Sequence, residues 1–145
     1  MNADWMRTIV EVAAGDDDEL ALRWSDGTEA SIRIDRATRA AIGDATQFAQ
    51  VSLGDWGHGV VWPGGTELGA DSLWAETLTA TGRGDARAFL EWRRAHGMSL
   101  ARAAEALGLS RRTVAYYSNG ERPVPKAIQL ACKGWDALHG KRKAA

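Results

Sequence analysis

The 145-residue chain is 45% apolar, with seven Trp, and carries 18 Lys and Arg against 19 Asp and Glu for a formal net charge of −1. So much apolar mass excludes global disorder, and the length suits one ordinary domain or two small ones. The single Cys132 excludes an intramolecular disulfide framework and a multi-cysteine zinc site.

No apolar run nears the roughly 20 residues that span a bilayer, and no basic segment with an apolar core opens the chain, so a cytoplasmic protein without membrane partners is expected. From Arg7 onward the pattern is that of short strands. Val10 and Val12 alternate with polar neighbours, Leu20, Leu22 and Trp24 share one parity, and Ile32 and Ile34 follow Asp26-Gly27, a pair that favours a hairpin turn. Three antiparallel strands are expected. Asp16-Asp17-Asp18-Glu19 reads as a solvated hairpin tip, because it lacks the alternating ligands and glycine of a calcium loop. Asp35 stands where an N-cap belongs, before a short helix over 36–42 closed by Gly43. Phe48, Val51 and Leu53, then Val60 to Trp62, predict two further strands joined through the glycine-rich stretch 54–59. Trp62-Pro63-Gly64-Gly65 ends strand character, and Ser72 to Leu78 predicts a short helix. Trp5, Trp24, Trp56, Trp62 and Trp74 are expected in a core or a dimer interface. Asp55 and His58 lie three apart in a spacing open to acid–base work, but no nucleophile accompanies them, so no enzyme, metal or cofactor is expected.

Thr81-Gly82-Arg83-Gly84 marks the expected boundary between a domain at 1–82 and another at 83–145. Up to Gly82 there are 14 Asp and Glu against 5 Arg; from Arg83 onward there are 5 acidic and 13 basic residues. The near-neutral total thus divides into −9 and +8, the asymmetry of a chain whose basic half meets a polyanion. Beyond the boundary the apolar period becomes helical. Phe89, Trp92 and His96 share a face of a helix from about Asp85, its expected N-cap, to Gly97. Leu100, Ala103, Ala104 and Leu107 mark a second helix, capped by Ser99 and stopped by Gly108. A third begins at Ser110 and buries Val114 and Tyr117. After Pro123 and Pro125, the residues Ile128, Ala131, Trp135 and Leu138 mark the inner face of a fourth, ending near His139. A disordered tail is expected at 141–145.

The stretch from Gly97 to Arg122 has an internal logic. Small Ala104 lets two helices cross closely, Gly108 permits the tight turn, Leu109 plugs the corner, and Ser110 caps the helix that follows. The opening residues of that helix then project outward, where a major groove could receive them. This segment resembles the Cro/repressor-type (lambda-repressor-like, XRE-type) helix-turn-helix family over some 55 residues. The resemblance implies double-stranded DNA as partner. It implies that Ser110 bonds a backbone phosphate and that Arg111, Arg112 and Tyr116 face base edges. It also implies that amides around Asn119 and Gly120, with Arg122 and Lys126, hold phosphates. The chain departs from the family at Leu100, where Gln often binds phosphate, and at Ser118, where a Glu usually pairs with the first-helix arginine, here Arg93.

Trp24-Ser25-Asp26-Gly27, Phe48, Val51, Trp62-Pro63-Gly64-Gly65, Leu68, Asp71, Leu73 and Trp74 together resemble a bacterial domain family of unknown function, which implies a small β-rich architecture with a short helix. The expected fold class is therefore α+β: an antiparallel β-rich N-terminal domain, then an all-α helix-turn-helix domain. The expected function is sequence-specific transcriptional regulation by a homodimer reading a palindrome. The alternative is an antitoxin-like adaptor whose acidic domain binds a basic protein partner.

Overall fold

Alternation of apolar residues builds the first sheet. β1 (Ile9–Ala14), β2 (Glu19–Trp24) and β3 (Glu29–Arg33) pair antiparallel in that order. The structure, a computed structural model, describes residues 7–140, so Trp5 and the 141–145 tail lie outside it. The first hairpin turns through Asp17 and Asp18, both at positive φ (52° and 65°), a conformation that short polar side chains tolerate. Asp18 also pairs with Arg39 at 2.9 Å. The second hairpin turns through Asp26 and Gly27 (φ 92°). One expectation fails at β1. Ile9 opposes Trp24 but Glu11 opposes Arg23, so two steps on β1 match one on β2. This bulge switches the parity: Ile9 is buried and Val10, expected on the alternating inner face, is 39% exposed.

Asp35 caps α1 (Arg36–Ile42) by accepting from the Thr38 amide, and Gly43 closes it at φ 118°. Phe48 then departs from its expected place in a strand. Asp44 and Gln47 form a reciprocal capping box, each side chain bonded to the other's backbone amide, and this drives a single-turn helix α2 (Ala45–Phe48). Next come β4 (Ser52–Leu53), a 3-10 turn at Asp55–Gly57, β5 (Gly59–Val61) and β6 (Glu67–Gly69) in a second antiparallel sheet. Trp62-Pro63-Gly64-Gly65 does more than end β5. It turns the chain back into β6, which sequence patterning did not predict.

α3 (Ala70–Ala80) closes the first core. Trp24 and Trp74 meet edge to face at 4.8 Å, and Trp62 stacks on Phe48 at 6.0 Å. The buried indole N–H of Trp24 donates to Thr77 Oγ1 (3.1 Å), whose hydroxyl donates to the Leu73 carbonyl (2.8 Å). Trp62 Nε1 donates to the Phe48 carbonyl. Trp56 joins no core: it is 87% exposed, at φ 60°.

The chain divides into two compact units, Met1–Thr81 and Gly82–Ala145. The second contains α4 (Gly84–Ala95), α5 (Leu100–Leu107), α6 (Arg111–Asn119) and α7 (Lys126–His139). Its core holds Phe89, Leu90, Met98, Ala103, Val114, Tyr117 and Val124. Two expectations are corrected here. Arg83, not Asp85, precedes α4, and Asp85 lies in its first turn, where a carboxylate complements the helix dipole. On α7, Leu138 is 82% exposed and Cys132 is the buried residue, because the contacts with α4 and α5 reach only part of the face that the apolar spacing marked. Among the described residues no helix is long and apolar enough to cross a membrane.

Candidate nucleic-acid interface

α5, the turn and α6 form the helix-turn-helix. Ser99 caps α5 by accepting from the Arg102 amide (3.0 Å). Gly108 ends it in the left-handed conformation (φ 71°), which lets the Leu109 amide reach back to the Ala104 carbonyl (2.9 Å). Ser110 is in extended conformation and caps α6. Its Oγ accepts from the Thr113 amide (3.1 Å) and donates to Thr113 Oγ1 (2.9 Å). Val114, wholly buried, packs α6 back on its partner helices, with Tyr117 edge-on to Phe89 at 5.6 Å.

This packing decides what α6 presents. Val114, Tyr117, Ser118 and Asn119 are buried, whereas Arg111 and Arg112 are exposed and Thr113, Ala115 and Tyr116 are half-buried. Neither Arg111 nor Arg112 has a hydrogen-bond or ion-pair partner among the described residues. Other arginines of this unit are engaged: Arg83 with Asp85, Arg87 with Glu91, Arg102 with Glu105. The two free guanidinium groups moreover sit in the first turn of a helix that has no acidic residue there, at the end whose dipole repels cations.

The other expected contact residues lie around the end of α6. The Arg122 guanidinium covers the Tyr116 ring at 4.2 Å. Lys126 is exposed as the first residue of α7, another helix without an acidic residue in its first turn. Asn119 is placed differently from its neighbours. Its side chain is buried and its Oδ1 accepts from the Glu121 amide (2.9 Å), while the amides of Gly120, Glu121 and Arg122 all approach the Tyr116 carbonyl. Asn119 therefore shapes this loop from within.

The two departures from the family pattern have structural answers. The Arg93 guanidinium, deprived of a Glu at 118, donates instead to the Met98 carbonyl (2.9 Å), and burial pushes its pKa down. Ser118 is wholly buried, its Oγ without a partner among the described residues. Leu100 is buried and so serves the core. Sequence reasoning missed Arg83 and Asp85. Arg83 donates to the carbonyls of Gly120 and Arg122 (3.1 Å for the latter), and Asp85 Oδ2 accepts from the Val124 amide (2.8 Å). No local signal announces contacts 37 to 39 residues away in the chain. Burial pushes the Asp85 carboxyl up, but hydrogen bonds from Arg83 and from the Val124 and Ala86 amides, with the charge of Arg83, outweigh it and hold the group below the ordinary carboxylate value. In the first unit, Asp55 and His58 are both exposed on the turn between β4 and β5.

Comparison with known proteins agrees with both halves of this description. Residues 9–78 match the family described as protein of unknown function (DUF2442), and residues 90–133 match the family described as helix-turn-helix. The chain is similar, at 31% identity and a TM-score of 0.71, to the crystal structure of NE0471 from Nitrosomonas europaea, described as a candidate DNA binding protein. That similarity covers 100% of this chain and 97% of the other. A comparison with curated proteins finds no match.

Proposed function

The chain belongs to the family in which a DUF2442 domain precedes a helix-turn-helix DNA-binding domain, and from that premise we propose that it is a sequence-specific transcriptional regulator. The observation that carries this reading is the pair of exposed guanidinium groups on Arg111 and Arg112, which have no partner among the described residues. Their position brings α6 nothing as a folded helix and suits base edges in a major groove, where arginine pairs bidentately with guanine. Ser110, Arg122 and Lys126 are the phosphate contacts of this proposal, Tyr116 adds a base contact, and Asn119 acts through the loop. The net charge of +8 on the second unit supports a polyanionic partner. The acidic first unit is repelled by phosphates and suits a basic protein partner.

A single domain of this size reads few bases, so the regulator acts as a homodimer with recognition helices about 34 Å apart on a palindrome. Selection of bound duplexes from a random pool by the full-length protein tests this directly. Recovery of a palindrome with half-sites one helical turn apart, bound with an affinity that falls steeply with salt, is the expected result. No enrichment over the starting pool sinks sequence-specific regulation. Sedimentation as a strict monomer at tens of micromolar, with unchanged monomeric binding, sinks the dimer.

A further inference from the structure

We propose that Arg83 and Asp85 form a latch that positions the DNA-contacting loop after α6, an inference that rests on the DNA-binding reading above. The loop from Gly120 to Pro125 lacks regular structure, yet two residues at the start of α4 hold it at three points. Arg83 donates to the Gly120 and Arg122 carbonyls, and Asp85 accepts from the Val124 amide. The two are joined to each other by a forked ion pair, with Nε to Oδ1 at 3.2 Å and Nη2 to Oδ2 at 3.4 Å. Arg83 and Asp85 are about three-quarters buried.

Four of the five guanidinium N–H donors of Arg83 are thus engaged within the domain, which leaves a single Nη1 N–H, so a bidentate grip on phosphate would require one of these bonds to be given up. The consequence for DNA is indirect and specific. Carbonyl oxygens repel phosphate, and the latch turns two of them, Gly120 and Arg122, onto a cation of the protein itself. The same bonds fix the backbone of Arg122, whose guanidinium covers the ring of Tyr116. Arg83 and Asp85 are therefore positioning residues: they set where Arg122 and the end of α6 meet the DNA backbone without touching it.

The experiment uses the full-length protein, the duplex recovered by selection and a random-sequence duplex of equal length, with affinity measured across salt at a temperature where each variant is folded by circular dichroism. Arg83→Ala and Asp85→Ala are each expected to weaken both duplexes by a similar factor of about ten. The slope of log affinity against log salt should stay at the wild-type value, because no phosphate contact is lost. Arg122→Ala, the direct contact, should lower that slope by about one. The double variant should bind no more weakly than either single one, and Asp85→Asn, which keeps an acceptor for the Val124 amide, should recover part of the loss. Should Arg83→Ala not fold, Arg83→Lys serves in its place, since an ammonium keeps the charge but cannot span the same acceptors. An Arg83 variant with a slope lowered by about one is a direct phosphate ligand and overturns the proposal, as does a variant binding within twofold of wild type. A wild-type chain that binds neither duplex overturns the DNA-binding reading and the latch together; loss confined to the latch leaves that reading standing.

Discussion

Arg111 and Arg112 occupy the one turn of α6 in which a cation weakens the helix, and among the described residues neither pairs with a carboxylate. Removing either should therefore separate stability from function. Arg111→Ala and Arg112→Ala are each expected to cost about 1 to 3 kcal/mol of binding to the selected duplex and to relax preference at one base pair. The thermal midpoint should not fall, since a cation near a helix N-terminus is worth about 0.3 to 1 kcal/mol in the unfavourable sense. Equal losses on every duplex sequence would argue against base reading. Asp85 makes the stability of the second unit depend on pH. Its folded value lies below its ordinary one, so its contribution to stability is complete above the ordinary carboxylate range and is lost as pH falls through the folded value. Acid unfolding followed by circular dichroism should show that loss below about pH 4, and Asp85→Asn should abolish this part of the pH dependence by lowering the stability at neutral pH.

Elements differ in how plainly the sequence announces them. Ser99, Gly108 and Ser110 are local punctuation, each acting within four residues, and the helix-turn-helix they delimit is legible almost to the residue. The sheets depend on relations that no short window contains. A bulge opposite Trp24 exchanged the inner and outer residues at the start of β1, and β6 exists because Trp62-Pro63-Gly64-Gly65 folds three residues back onto β5. The helical turn at Phe48 did have a local signal, the capping-box spacing of Asp44 and Gln47, which apolar alternation obscured. On α7 the spacing of Ile128, Ala131, Trp135 and Leu138 marked a face correctly at its start and too far at its end. The candidate site divides likewise. The exposed residues of α6 could be read from the motif, whereas the inward turn of Asn119 and the bonds of Arg83 and Asp85 required tertiary contacts. Between α3 and the first sheet, the Trp24–Thr77 bond offers a test of packing. Thr77→Val keeps the shape but leaves the buried indole N–H without its acceptor, and should cost about 1 to 3 kcal/mol in denaturant unfolding.

For the molecule as a whole, the near-zero net charge conceals two opposed units of −9 and +8, matching compact bodies that end and begin at Thr81 and Gly82. Attraction between unlike units of different copies is strongest at low ionic strength and screened within about 10 Å at 0.1 M salt. Light scattering on dilution from 0.3 M salt toward 0.02 M should reveal growing association, reversed when salt is restored, if the two bodies meet across copies. Cys132 bears on a different property of the assembly. The only thiol of the chain is buried on α7, and burial, reinforced by Asp136, lifts its pKa to about 11. At neutral pH roughly one such group in ten thousand is ionised, too few and too hidden to exchange with a second copy. Any pairing of chains is accordingly indifferent to reductant, and a maleimide dye would record the rate at which α7 lifts from its neighbours, making the thiol a clock for local opening.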